Sequence, residues 1–209
     1  MELEVVVNGA LQENCYLLTD RESGEALVVD PGSPLPELIT TLQKMGMKQL
    51  KYILLTHGHY DHILGVAYLK ERFPEAKVLI SKPDTIFLED ARYSGADPAL
   101  QVPVTPDEQV GEGSKIPFAG KSIMVLSTPG HTKGSVCYLL EDLMFSGDTL
   151  FYKTYGRTDL YSGNLQDMKR SLYKLGALPD DYTVLPGHGP KTSLDYERTH
   201  NRMMRKMTW

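Results

Sequence analysis

The chain has 209 residues, 41% hydrophobic and 23% charged, the proportions of a soluble globular domain that can bury a core without staples. A formal net charge of -5 argues against a surface built for nucleic acid or for an anionic membrane. Cys15 and Cys137 are the only cysteines and form no CxxC, which excludes a disulfide framework and a cysteine-built zinc module.

The opening stretch MELEVVVNGALQENC is acidic and lacks the basic flank and apolar run of a signal peptide. No apolar run approaches the ~18 residues a membrane span needs. Free thiols without an export signal make the cytoplasm the expected compartment. Residues 3–7 and 15–19 read as paired strands around an Asn8-Gly9 turn. ALVVD at 26–30 is a buried strand stopped by Pro31-Gly32. Residues 35–45 follow with Leu35, Leu38, Ile39 and Leu42 at helical spacing, behind a Ser33 able to cap. KYILLT at 51–56 is the next strand, 62–72 the next helix, and 78–81 closes a second β-α-β unit. Residues 82–120, with five prolines, suit short helices and a connecting arm. Strand signals return in SIMVLS, SVCYLL and LMFS, then a helix at 165–176, the strand YTVLP and a last helix from 194. The order predicts one domain over residues 1–209 of class α/β (α+β): two β/α halves packed sheet to sheet with helices outside, a four-layer αββα sandwich. Composition alone also allows a single doubly wound sheet.

The chemistry concentrates where strands end. THGHYDH at 56–62 begins as KYILLT finishes and runs into a helix. In extended backbone, residues two apart face one side, so His57, His59 and Asp61 can converge, while His62 projects beside Asp61 to a neighbouring position. Gly58 permits the tight path and Gly65 keeps the helix start uncrowded. His131 follows SIMVLS in TPGHT, Asp148 follows LMFS in SGDT, and His188 follows YTVLP in PGHGP. Each has glycine beside it, as a rim of metal ligands requires. Five of the six histidines fit this pattern; His200, in the terminal helix, does not. Imidazole and carboxylate without thiolate suit zinc, iron or manganese.

This constellation resembles the metallo-β-lactamase-fold hydrolase superfamily, with its HxHxDH signature followed by separate His, Asp and His ligands. The resemblance implies the αββα sandwich and two divalent metal ions, zinc first and iron or manganese as alternatives. One metal would take His57, His59 and His131, the other Asp61, His62 and His188, with Asp148 bridging. Asp30 matches an acidic position that pins backbone near the site. Two cations roughly 3.5–4 Å apart lower the pKa of a shared water from about 15.7 towards neutrality and polarise a carbonyl. Asp61 is the candidate catalytic residue, orienting the attacking hydroxide and relaying its proton. There is no GxSxG, and both cysteines read as buried strand residues.

Within that superfamily, GDTLF at 147–151, GRTD at 156–159, Gly163, ENCY at 13–16 and PGHGP at 186–190 look like glyoxalase II. The resemblance is to the short bacterial type, without the appended helical domain that helps hold glutathione. It implies hydrolysis of hydroxyacyl-glutathione thioesters such as S-lactoylglutathione. Arg157 and Tyr161 are candidate substrate contacts, although Arg157 could instead pair with Asp159. Tyr152, Lys153 and Tyr155 could line the substrate mouth or be exposed. The basic run Arg198, Arg202, Arg205 and Lys206 reads as a solvated helix face, and the tail Met203, Met204, Met207 and Trp209 as packing on the sandwich or on a partner. The expected partner is a small thioester, with neither nucleic acid nor membrane; the oligomeric state is not legible. Persulfide dioxygenases share the GRTD-type loop but use one iron on two histidines and an aspartate, and lactonases use the same hydroxide chemistry. Both are rival activities.

Overall fold

The computed structural model describes residues 1–206. Its first sheet runs β1 (Glu2–Asn8), β2 (Glu13–Thr19), β3 (Glu25–Val29), β4 (Gln49–Leu54), β5 (Lys77–Ser81) and β6 (Glu108–Val110), in sequence order. β1 to β3 are antiparallel and β3 to β6 parallel. The second sheet comprises β7 (Lys115–Phe118), β8 (Lys121–Ser127), β9 (Val136–Leu140), β10 (Leu143–Gly147), β13 (Thr183–Pro186) and β14 (Thr192–Ser193). Its spatial order is β14-β13-β10-β9-β8-β7, parallel only between β10 and β13. A hairpin of β11 (Leu150–Phe151) and β12 (Thr154–Tyr155) stands apart.

The layers follow from alternation along the strands. All seven residues of β2 are buried, because both faces of its sheet are covered. Tyr16 and Leu18 point to the second sheet, where they join Tyr138, Phe145 and Leu185. Cys15 and Leu17 point the other way, onto Leu38 and Leu42 of α1 (Pro36–Lys44) and Val66 and Leu69 of α3 (Val66–Arg72). On the far side, Cys137 and Leu139 of β9 pack on Met168, Leu172 and Leu175 of α6 (Leu165–Gly176) and Leu194 of α7 (Leu194–His200). Each such side chain contributes about 1.5–3 kcal/mol when fully buried. Helix, sheet, sheet, helix is the four-layer sandwich, not a single doubly wound sheet. Both cysteines are buried and free.

Several local expectations change. α1 starts at Pro36 with Leu35 as its N-cap and no side-chain cap, so Ser33 does not fill that role. The helix expected over 62–72 is two short ones, α2 (Tyr60–Ile63) and α3, broken at Gly65. A Cβ there would meet the carbonyl oxygens of Ser33 at 2.5 Å and Pro31 at 2.7 Å. The arm after β5 holds a 3-10 turn, α4 (Thr85–Glu89) and α5 (Ala91–Ser94), together with two unforeseen strands, β6 and β7. Arg198 is not a solvated residue. Its guanidinium donates to the carbonyls of Gly176, Leu178 and Asp180 at the end of α6, while Arg202 and Arg205 are exposed. Met204 is buried against α6, and Met207 and Trp209 lie outside the described residues. Among the described residues no helix is long and apolar enough to cross a membrane.

Candidate metal centre

The strand ends of both sheets meet at one rim. His57 follows β4, His59 is the N-cap of α2, and Asp61 and His62 lie in its first turn. The extended alternation stops at His59, because Tyr60 begins the helix. His57 and His59 therefore face His131, while Asp61 turns to His62 and His188; the three do not converge together. In each of the two sets, one ligand atom per residue lies within 4.8 Å of the others. Ring centroids in the first set are 4.5–4.9 Å apart, and His59 Nδ1 approaches His131 Nε2 to 2.7 Å. In the second, His188 Nε2 stands 3.2 Å from Asp61 Oδ2 and His62 Nε2 stands 3.7 Å from it.

Asp148 lies between the sets. Its Oδ1 is 3.4 Å from His62 Nε2, and its Oδ2 is 3.4 Å from His131 Nε2 and 3.7 Å from His188 Nε2. Gly147 and Gly187 permit this approach. A Cβ on Gly187 would stand 2.3 Å from Asp148 Oδ1 and 2.7 Å from His62 Cε1.

The outward ring nitrogens are already engaged, which orients the inward ones. His57 Nδ1 meets the Thr56 hydroxyl at 3.1 Å, His62 Nδ1 meets Asp30 Oδ2 at 3.0 Å, and His131 Nδ1 meets the Arg157 carbonyl at 2.7 Å. His188 Nδ1 meets the Leu11 carbonyl at 3.0 Å. By contrast, the buried atoms His57 Nε2, His62 Nε2 and Asp148 Oδ1 make no hydrogen bond. Unpaired buried polar atoms are costly, and these three all belong to the strand-end cluster, where a cation would satisfy them. The donor set therefore fits two divalent ions bound through nitrogen and oxygen.

Burial pushes the His57 imidazolium well below its usual range, with the neighbouring histidines adding to it. Burial and His131 bring His59 down to about 3, and burial also lowers His131. Neutral imidazole is the ligating form. Burial opposes charge on His62 too, but Asp148, Asp30 and Asp61 outweigh it and raise its pKa well above the ordinary value.

A third grouping of Asp30 with His57 and His62 is geometrically close but chemically spent. Asp30 already accepts from the Thr56 N–H at 2.7 Å, the Thr56 hydroxyl at 2.6 Å and His62. It pins backbone, as its sequence position suggested, at the strained φ of 52°. Glu13, the first residue of ENCY, has a place beside His62 that the sequence did not assign: it is 1% exposed, accepts from Asn8 Nδ2 at 2.7 Å, and its Oε1 lies 4.0 Å from His62 Nδ1. Its sequence signals are the ENCY stretch and a carboxylate inside the apolar strand ENCYLLT.

The centre opens into a cleft of about 880 Å³. Tyr93, Tyr161, Leu160, Leu11 and Phe151 line it, with Arg92 and Arg157 at its edge. Tyr161 packs on Tyr93 at 4.8 Å and on Phe87 at 5.7 Å between ring centroids. Arg157 is paired through two 2.8 Å bonds with Asp159. Tyr93 and Arg92 come from the arm that the sequence left irregular. Tyr152 stacks on Tyr196, with Lys153 over both rings, and neither Tyr152, Lys153 nor Tyr155 is among the cleft residues. His200 stacks on Tyr196 at 4.0 Å, away from the centre.

The family profile of the metallo-beta-lactamase superfamily matches residues 8–188. A probable metallo-hydrolase of Streptococcus pyogenes is 34% identical, over 96% of this chain and 89% of its own length. A hydroxyacylglutathione hydrolase of Klebsiella pneumoniae is 32% identical, over 86% of this chain and 63% of that enzyme. Among solved structures, the BLEG-1 B3 metallo-beta-lactamase superposes with TM-score 0.87 at 33% identity, covering 97% of this chain and 99% of that one. TTHA1623 in a di-iron-bound form gives 0.81 at 34% identity, covering 95% and 98%. ETHE1 from Myxococcus xanthus gives 0.81 at 28%, covering 100% and 86%. Profile, relatives and superpositions agree with the strand-end cluster of histidine and aspartate: the chain belongs to the metallo-beta-lactamase superfamily of metal-dependent hydrolases.

Proposed function

We propose that the protein hydrolyses thioesters of the hydroxyacyl-glutathione kind, such as S-lactoylglutathione, at a dinuclear centre. His57, His59 and His131 would hold one ion and Asp61, His62 and His188 the other, with Asp148 placed between the two sets. The observation that carries this reading is the carboxylate of Asp148, whose two oxygens face histidines of both sets at 3.4 Å beside an open cleft. When bound, the ions supply an activated water at neutral pH and withdraw electron density from the scissile carbonyl.

The chain's own residues do the rest. Asp61 faces the cleft beside His188 and, as an ionised carboxylate, orients the attacking water by accepting its hydrogen bond. Burial opposes its charge, but the His188 hydrogen bond and the His62 charge hold its carboxyl well below the usual range. Tyr161, Tyr93 and Leu160 offer apolar surface to the substrate and exclude water from one side of the scissile bond. Arg157 gives its carbonyl to His131 and carries its guanidinium to the cleft edge.

An iron oxidoreductase of the persulfide dioxygenase kind is the second reading, favoured by the likeness to ETHE1. The presence of His188 within 3.2 Å of Asp61 favours hydrolysis, because it completes a second donor set. Purified protein of known metal content should turn over S-lactoylglutathione. Oxygen uptake on glutathione persulfide, without thioester cleavage by metal-replete protein, would sink the hydrolase reading; turnover of a lactone alone would move it to ring opening.

A further inference from the structure

One buried carboxylate outside both donor sets ties together the two loops that build the first of them. Asp84 ends the 3-10 turn after β5 and is completely buried. Its Oδ2 accepts from the Gly58 N–H at 3.1 Å and from the Thr132 hydroxyl at 2.6 Å. Its Oδ1 accepts from the Gly134 N–H at 2.8 Å. Gly58 stands between His57 and His59, and Thr132 follows His131. A single oxygen thus joins the loop bearing two of the three histidines to the loop bearing the third.

The surrounding packing leaves that link little freedom. A Cβ on Gly134 would stand 2.3 Å from Asp84 Oδ1, and one on Gly58 would stand 2.3 Å from Phe87 Cβ. Phe87, three residues beyond Asp84, also packs edge-on against the His59 ring at 5.6 Å. The second donor set takes its outer bonds elsewhere, His62 from Asp30 and His188 from the Leu11 carbonyl. A buried carboxylate is costly unless donors saturate it, and the three hydrogen bonds to Asp84 all come from the ligand loops.

We infer that Asp84 is a positioning residue for the three-histidine ion: it fixes the loops at 57–59 and 131–134 relative to each other without itself ligating. This rests on the two-metal reading of the site and on no particular substrate. Contacts of this kind typically alter metal affinity roughly 10–100-fold.

The test is a Zn²⁺ titration against a chromophoric chelator in two backgrounds. His188→Ala leaves the three-histidine set intact, and His59→Ala leaves the set of Asp61, His62 and His188. Adding Asp84→Ala should weaken binding about tenfold or more in the first background and less than about threefold in the second. Asp84→Asn should recover most of the loss, because one amide oxygen can still accept from Gly58 and Thr132. Thr132→Val, which breaks one link without burying a charge, should cost a few-fold in the first background only. It carries the test if Asp84→Ala does not fold. Equal losses in both backgrounds, or no loss in the first, overturn the inference and indicate a general structural role. Wild-type protein that takes up fewer than two Zn²⁺ overturns the two-metal reading beneath it.

Discussion

At Asp148 one side chain serves two donor sets, so its removal should be felt at both. Asp148→Ala is expected to lower occupancy at both metal positions by about tenfold in affinity, whereas His200→Ala leaves bound metal unchanged. Elemental analysis of the two purified variants reads this directly. Comparable losses would mean that the ligand assignment is wrong. Glycine sets an equally sharp limit beside it. The Cβ of Gly187→Ala would stand 2.3 Å from Asp148 Oδ1, so that variant should lose metal and activity while its far-UV spectrum stays native. The candidate ligands were legible because all seven side chains sit at strand ends or one turn beyond, each beside glycine or within THGHYDH. Asp84 gave no comparable signal, since a lone carboxylate in KPD looks like any polar residue until its donors are known.

At the scale of elements, α6 does more than cover the second sheet. Its N-cap Asn164 accepts from the Gln166 N–H at 2.8 Å and the Asp167 N–H at 3.0 Å, and its own N–H donates to the Gly130 carbonyl at 2.8 Å. Ser171 donates to the Pro129 carbonyl at 2.6 Å. A Cβ on Gly130, whose φ is +149°, would meet Met168 Cα at 2.5 Å. The helix start therefore seats the loop that carries His131. Asn164→Ala should cost about 1 kcal/mol of stability by urea denaturation, as loss of a cap does. The periodicity of 165–176 announced this helix, and nothing in its sequence announced which loop it would hold. The arm after β5 shows the converse: its prolines concealed short helices that bring Arg92 and Tyr93 to the cleft.

For the whole molecule, the cleft and the core make separate predictions. Tyr161→Ala should raise KM for an acyl thioester several-fold while leaving bound metal intact, since the ring lines the cleft and touches Tyr93 and Phe87 rather than a ligand. Asp159→Asn should release Arg157 and lower KM for a carboxylate-bearing thioester, with an unchanged melting temperature because exposed pairs stabilise little. Stability should also report on Asp84. Burial pushes its carboxyl up to about 6 from 3.8, against the bonds from Thr132, Gly134 and Gly58. The folded chain therefore holds that proton more tightly than the unfolded one, and this contribution is lost as pH rises through about 6. In metal-free protein the stability of wild type relative to Asp84→Asn should fall between pH 3.8 and about 6, the titrating histidines being common to both. A difference that is flat with pH would mean that Asp84 titrates normally.

The amino-acid sequence by itself determined the α/β class, the order of the main strands and helices and the candidate donor residues. Strand ends, glycines and the absence of cysteine clusters are properties of neighbouring residues, and short-range chemistry can be read along the chain. The division of the histidines, which the family resemblance implied, finds its physical cause only in the tertiary structure. Helix α2 begins at Tyr60, which turns Asp61 away from His57 and His59 towards His188, a residue far along the chain. The tertiary structure alone also brought Asp84 under both ligand loops. Such pairings depend on which loops the packed sheets bring together, and that is a property of the closed sandwich rather than of any segment within it.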